Sequence, residues 1–326
     1  MKRALFIPLI VAGISLLPVL TRIPESFGNT SSGAKPAAAT VAAAVNSPAS
    51  TAVAPEVARD GLPSQLTLSQ LKAYQAGAIE VRVTNATAGT ATLFGRVSTL
   101  VPDGNDVVGY VGIGINDPPW GADIVANFTN TDGKPQQLDK WFNILQTQWT
   151  VDYITLPPPD PNAPPPPPGL VDEQPRLDAI YAIVTSPRQW TDGWVAPLSG
   201  TLTVTSYFGE QRSFNGGPVQ GHHGGTDLAA NMGTPIYASN NGTVVLAEQV
   251  LERGNLVVLD HGGGIYSAYG HMSQFAVKVG DKVTKGQIIG YVGSTGVSTG
   301  PHLHWEIAVD GFAVDALRWI DGSQGF

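Results

Sequence analysis

Near the C-terminus the chain reads Pro301-His302-Leu303-His304-Trp305-Glu306-Ile307. In a β-strand, Leu303, Trp305 and Ile307 fall on one face and His302, His304 and Glu306 on the other. The apolar face can enter a core, and the opposite face presents two imidazoles side by side. The chain has six histidines in 326 residues: His222, His223, His261, His271, His302 and His304. A second cluster, His223-Gly224-Gly225-Thr226-Asp227, has the pattern H-x-G-x-D. Gly225 permits a sharp backbone turn there, so that His223 and Asp227 can converge on one point. Together with His304 they make two neutral imidazoles and one carboxylate, a three-ligand set suited to zinc with a fourth position left for water. His271 and His302 then remain for proton transfer. The sequence contains no cysteine. Thiolate metal sites, Cys nucleophiles, disulfides and a lipid-modified Cys anchor are therefore excluded, and any metal must be held by His, Asp or Glu.

Other residues around these motifs have weaker claims. His222 adjoins His223 and competes with it as a ligand, but the H-x-G-x-D spacing fits His223. His261, in Asp260-His261-Gly262, reads as a turn or packing residue, and Tyr269 as packing. Glu306 shares the histidine face and reads either as a carboxylate that orients a ligand imidazole or as a solvated strand residue. Arg212 and Asn215 precede the H-x-G-x-D motif and are candidates for substrate contact, with surface turn residues as the alternative.

The elements that must position these residues are mostly strands. With 38 Gly and 26 Pro and a charged fraction of 13%, the composition favours short strands and turns over long charged helices. From Trp194 onward, strands are expected over Thr243–Leu246, Asn255–Leu259, Ile265–Tyr269, Gln287–Val292 and His302–Val309, punctuated by glycines. Upstream, a short helical pattern spans Leu66 to Gln75. Strand patterns follow over Ile79–Val83, Thr92–Val97, Val107–Ile115, Ile124–Phe128 and Trp149–Thr155, which argue for a small β-sandwich. Pro157 to Pro168 holds nine prolines in twelve residues and reads as an extended polyproline II connector. After it, Leu177, Ile180, Tyr181 and Val184 mark one face of a short helix, with Asp172 as N-cap and Ser186-Pro187 ending it.

The N-terminus begins Met1-Lys2-Arg3 and is then uncharged from Ala4 to Leu20. That pattern is an export signal, and the run is about long enough to span a bilayer. Without a good cleavage site directly after it, it reads as a membrane anchor in preference to a cleaved signal peptide, with the rest of the chain outside the cytoplasm. Phe27 to Arg59, rich in Ala, Thr, Ser and Pro, reads as a flexible tether. Net charge is −8 and no basic stripe is present, so a nucleic-acid partner is not expected. The expected organisation is an anchor or signal over 1–24, a tether over 25–60, a β-sandwich-like accessory domain over 61–156, a Pro-rich linker and short helix over 157–190, and a catalytic β-domain over 191–326.

The combination of His223-x-Gly225-x-Asp227, Tyr269-Gly270-His271 and Gly300-Pro301-His302-Leu303-His304 resembles the lysostaphin-type (LytM-like) zinc metallopeptidases, which cut peptide bonds in bacterial peptidoglycan. Val279-Gly280-Asp281 through Gln287-Ile288-Ile289-Gly290, Gly293-Ser294-Thr295-Gly296 and Phe208-Gly209-Glu210-Gln211-Arg212 fit as well. The resemblance covers about residues 195 to 320. It implies an antiparallel β-fold of barrel-sandwich type with an open groove, making the whole chain mainly β. It also implies one zinc ion held by His223, Asp227 and His304, with His302 and His271 flanking the metal water as acid–base groups. Peptidoglycan peptide stems would be the substrate. The D-Ala–diaminopimelate cross-link is favoured over a glycine bridge by analogy, because the glycine-bridge members usually carry a wall-binding domain and none is evident after the catalytic unit. A zinc-free relative that regulates other wall hydrolases is the alternative, although every expected ligand is present. A biotinyl- or lipoyl-like carrier would need a modifiable lysine at a hairpin tip, where this chain offers His-Leu-His. The short helix, the connector or the sandwich could cover the groove until a regulatory partner moves it.

Overall fold

Alternating and Gly-punctuated segments become strands nearly throughout. The computed structural model describes residues 40–42, 62–155, 173–190 and 193–324. The expected anchor over 1–24 and almost all of the tether over 25–60 lie outside the described residues, as does the run Pro157 to Pro168. Thr40–Ala42, within the expected tether, forms a short strand antiparallel to Thr201–Thr203. Among the described residues, no helix is long and apolar enough to cross a membrane.

Eight strands between Leu66 and Leu145 form one sheet that bends along Arg96–Asp103. The first part of this strand pairs with Ala86–Leu93 and its last part with Asp106–Gly112. The two halves of the sheet thereby face each other and share a core. One half contributes Val81, Val83, Val107 and Val111, and the other Leu93, Ile124, Phe128, Phe142 and Ile144. Sandwich packing is thus achieved by a folded sheet, burying inward-facing alternate residues as the pattern requires.

Several local expectations differ. Leu66 to Gln75 is not helical: it holds two short strands, Leu66–Leu68 and Lys72–Tyr74, which pair with opposite ends of the folded sheet. The apolar spacing is short enough to suit either element, and strand partners at both ends decide it. Thr92–Val97 straddles a hairpin turn whose central residues, Phe94 and Gly95, have φ of 50° and 80°, the backbone that tight two-residue hairpins require. Pro135–Leu145 is a strand that the sequence pattern does not reveal, because most of its residues are exposed on both faces without apolar alternation. Val151–Ile154, expected as the last strand of the sandwich, pairs instead in parallel with Gln211–Phe214 of the C-terminal unit.

The C-terminal unit is built on a continuous antiparallel path. Its order is Thr201–Ser206, Thr226–Ala229, His302–Val309, Ile265–Phe275, Asn255–Gly262 and Gly242–Gln249. Leu303, Trp305 and Ile307 are fully buried in its core with Leu228, Val257, Leu259 and Tyr269. Ala78, Val101, Val108 and Tyr110 of the sandwich join that same core, so the two parts share buried apolar surface, which stabilises their association. The helix Gln174–Tyr181 lays Leu177 and Tyr181 onto Leu246, Val258, Tyr266 and Ala308 on the other side of the sheet. Its N-cap position is Glu173, not Asp172, which lies outside the described residues.

Candidate metal centre

Register brings the chemistry together. In the pairing of Thr226–Ala229 with His302–Val309, Asp227 lies opposite His304 and Ala229 opposite His302. On the other flank, Gly270 lies opposite His304, which brings His271 to the same end. Directly opposed residues in an antiparallel pair have adjacent side chains, so the 77-residue separation of Asp227 and His304 collapses into contact.

Three donor atoms converge. His304 Nδ1 is 2.8 Å from Asp227 Oδ1, His223 Nε2 is 3.2 Å from the same oxygen, and the two ring nitrogens are 3.1 Å apart. Each imidazole is oriented from behind. His223 Nδ1 lies 3.0 Å from the Tyr207 carbonyl. A carbonyl only accepts, so the ring donates from Nδ1 and Nε2 is left with its lone pair. His304 Nε2–H donates to Glu306 Oε1 at 2.8 Å, leaving Nδ1 free. Three lone pairs in mutual contact call for positive charge between them, supplied by a proton on His304 Nδ1 or by a metal ion. Ligands about 2.0–2.1 Å from zinc in tetrahedral geometry stand about 3.3 Å apart, close to the spacing here, and the N,N,O donor set suits zinc. The residues therefore fit the ion.

Electrostatics agree with this reading. Burial would raise the Asp227 carboxyl, but the His223 and His304 rings beside it hold it well below its usual range. Burial would depress His304, yet Asp227 and Glu306 together raise it to about 9. The site attracts positive charge even before a metal enters. Glu306 is itself held ionised near 2, against burial, by the Arg253 guanidinium and by His304. Of the two readings open for Glu306, the orienting carboxylate is the one the fold adopts, with 3% exposure.

His271 and His302 flank the three donors. Their rings are 4.6 Å apart between centroids. His271 donates from Nδ1 to the Thr295 carbonyl at 2.7 Å, and His302 from Nδ1 to the Gly300 carbonyl at 2.8 Å. Both keep Nε2 available, and His302 Nε2 stands 3.7 Å from Asp227 Oδ1. Burial depresses His271 to about 4, so it is neutral at physiological pH and able to accept a proton. Its backbone is left-handed, with φ of 58°, a conformation uncommon for a residue with a side chain and concentrated at functional sites.

Gly225 matters for a different reason from the turn that the motif suggests. A Cβ there would lie 2.7 Å from the Trp305 carbonyl, 2.8 Å from the His304 ring and 2.9 Å from Glu306 Cγ. The glycine leaves room for the ligand strand to pass. Arg212 reaches the site, with Nη2 3.7 Å from Asp227 Oδ2. Asn215 does not: it is an exposed turn residue with φ of 51° and lies outside the cleft lining. His222 lines the cleft without joining the three donors. His261 is fully buried, bonded to the Asn241 carbonyl and Ser267 Oγ, and is a packing residue. Tyr269 is buried too, its hydroxyl accepting from the Ser239 amide.

The donors open into a cleft of about 830 Å³. Its walls include Arg253, Val297, Thr299 and also Asp152, Ile154 and Gln174 from the segments on either side of the Pro-rich run. Sequence reasoning missed Arg253, Glu173 and this wall. No local motif marks them, because each acts through a partner distant in the chain.

Residues 221–316 match peptidase family M23. The peptidoglycan DD-endopeptidase ShyA of Vibrio cholerae is 40% identical over 122 residues, which is 37% of this chain and 28% of that protein. The glycyl-glycine endopeptidase ALE-1 of Staphylococcus capitis is 44% identical over 95 residues, 28% of this chain and 26% of that protein. The chain thus spans about a quarter of the length of these curated relatives. A crystal structure of a putative peptidase M23 from Pseudomonas aeruginosa aligns over 76% of this chain and 94% of its own, with a TM-score of 0.52 and 22% identity. That likeness carries the shared fold beyond the C-terminal unit into the sandwich.

Proposed function

We propose that this chain, whose C-terminal region carries a peptidase family M23 domain, is a zinc metalloendopeptidase that hydrolyses peptide cross-links of bacterial peptidoglycan. The observation that carries this reading is the convergence of His223 Nε2, Asp227 Oδ1 and His304 Nδ1 beside two imidazoles with free Nε2 atoms. His223, Asp227 and His304 would hold the ion. When bound, zinc supplies Lewis acidity toward the scissile carbonyl and makes a nucleophile available near neutral pH.

The chain's own groups do the rest. The Tyr207 carbonyl and Glu306 lock the two ligand rings in the tautomers that aim lone pairs inward. Thr295 and Gly300 fix the Nδ1 protons of His271 and His302. Their Nε2 atoms are then the sites that take the proton released on attack and return it to the leaving amine. The protonated imidazole additionally offers a donor to the oxyanion. Arg212 is proposed as a substrate contact, since its guanidinium stands in the cleft wall. Asn215 loses its support.

Of the two bonds, the cross-link between D-Ala and diaminopimelate is favoured, because the longer of the two alignments is with a DD-endopeptidase. The alternative, a regulator without catalysis, would need a defective ligand set, and the set is whole. The test is mass analysis of fragments released from purified peptidoglycan by the full chain with added zinc. Separated stem peptides ending in D-Ala support the reading. Fragments cut within glycine bridges move the specificity to the other class, and no release by the zinc-loaded protein overturns the enzyme. We further propose that it acts outside the cytoplasm, held to the membrane by residues 1–24, because Met1-Lys2-Arg3 precedes an uncharged run. Recovery of the native chain in the cytosolic fraction would refute this.

A further inference from the structure

Glu173 stands at the start of the helix Gln174–Tyr181, where a carboxylate would normally cap its own helix. It makes no such bond. With 3% exposure, it turns away to the turn joining strands Gly242–Gln249 and Asn255–Gly262. Its Oε2 accepts the Glu252 amide at 3.2 Å, and its Oε1 accepts the Arg253 amide at 3.0 Å and Arg253 Nη1 at 3.2 Å. Arg253 then donates from Nε to Glu306 Oε1 at 2.5 Å, the same oxygen that receives the His304 Nε2 proton.

The turn also reaches the other side of the site. The Arg253 carbonyl accepts the His271 amide at 2.7 Å, and the Glu252 carbonyl accepts the Val297 amide at 2.8 Å. Gly254 and Gly296 meet where a Cβ on either would come within 2.3 Å of the other's loop, so the turn and the Thr295 loop are in close contact. Tyr181, on the same helix, keeps its proton because burial and then the Glu306 charge disfavour the phenolate. One buried carboxylate therefore holds a turn from which both a metal ligand and a proton-transfer histidine are aligned.

We infer that Glu173 is a positioning residue: through Arg253 and Glu306 it sets the direction of His304 Nδ1, and through the Arg253 main chain it sets His271, so that the segment entering the C-terminal unit tunes its affinity for metal. The physical reason is that removing the carboxylate strands two part-buried amides and takes away one of the two carboxylates paired with Arg253. Arg253 keeps its bonds to Glu306 Oε1 and Gln174 Oε1 but loses the anchor of its Nη1 and main chain, so the Glu306 oxygen that meets His304 is placed less firmly. This inference rests on the zinc reading of the site.

The experiment uses the full chain and zinc itself, with affinity measured by competition against a chromogenic chelator. The visible spectrum of the cobalt-substituted protein serves as a second readout. Groups that orient metal ligands cost roughly 10- to 100-fold in affinity when removed. Glu306→Gln should fall in that range, and Glu173→Ala should lose less, about 3- to 10-fold, one step further out. The decisive arm is the double variant. If Glu173 acts through Glu306, Glu173→Ala adds little on top of Glu306→Gln, and its cobalt bands shift in the same direction. A folded Glu173→Ala protein with wild-type zinc affinity and an unshifted cobalt spectrum overturns the inference. So do losses that simply multiply in the double variant. Wild-type protein that binds no zinc overturns the metal reading as well.

Discussion

With His302 as the proposed acid–base group, replacing it with Gln should separate metal binding from turnover. His302 Nδ1 is occupied by the Gly300 carbonyl at 2.8 Å, and its Nε2 is 3.7 Å from Asp227 Oδ1, beyond hydrogen-bond reach. It therefore neither ligates nor orients a ligand. Its removal should change zinc affinity by no more than about 0.5 kcal/mol, roughly a factor of two. Turnover should suffer much more. A positioned acid–base group contributes about 10²- to 10⁴-fold, equal to roughly 3–5 kcal/mol of transition-state stabilisation. His271, 4.6 Å away between ring centroids, presents the same free Nε2 and can carry part of the proton traffic, which argues for the lower half of that range. The assay is kcat/KM on a purified cross-linked muropeptide dimer, run beside zinc affinity by chelator competition on the same preparation. His302→Gln with His271→Gln should then cost less than the product of the two single losses, because in the proposed mechanism they serve one proton path. Zinc lost together with activity in His302→Gln would refute the division of roles. So would activity within about threefold of wild type.

Further outcomes follow from other contacts. Asp227→Ala and His304→Ala should each purify folded but without stoichiometric zinc, measured by metal analysis and circular dichroism; zinc retained at one equivalent would contradict the ligand set. Gly225→Ala drives a methyl to 2.7 Å from the Trp305 carbonyl and 2.8 Å from the His304 ring. It should cost about 1–3 kcal/mol of stability and weaken zinc binding, read by denaturant unfolding with and without the metal. His261 is pushed down to about 4 by burial, against its bond to the Asn241 carbonyl. Its neutral form belongs to the fold and its charged form to the unfolded chain. Its contribution is complete above about pH 6.5 and is lost as the pH falls toward 4, by up to about 3 kcal/mol. Metal-free His261→Asn protein should show a shallower loss of stability over that window than metal-free wild type, by urea titrations at several pH values.

The chemistry-bearing residues were legible because their constraints are local. His302 and His304 share a face by strand alternation, and His223-x-Gly225-x-Asp227 spans a single turn into a strand. The strands that carry them, such as His302–Val309 and Asn255–Gly262, announce themselves by apolar content and flanking glycines. Leu66 to Gln75 was misleading, since a few apolar residues suit a helix or a strand equally until partners are chosen. Pro135–Leu145 was silent, since both of its faces are exposed over Gln136, Asp139 and Lys140, which leaves little alternation to detect.

The sequence by itself determined which residues could hold a metal and which imidazoles remained for the proposed proton transfer, because side-chain chemistry and strand periodicity are properties of neighbouring residues. Only the tertiary structure decided the rest. Register set Asp227 against His304. Hydrogen bonds from distant elements chose Nε2 of His223 and Nδ1 of His304 as the donors. The approach of Trp305 and Glu306 gave Gly225 its purpose, and Glu173 was brought to Arg253 across about eighty residues. Those choices depend on which segments are buried together, and burial is set by the packing of the whole chain and not by any stretch of it.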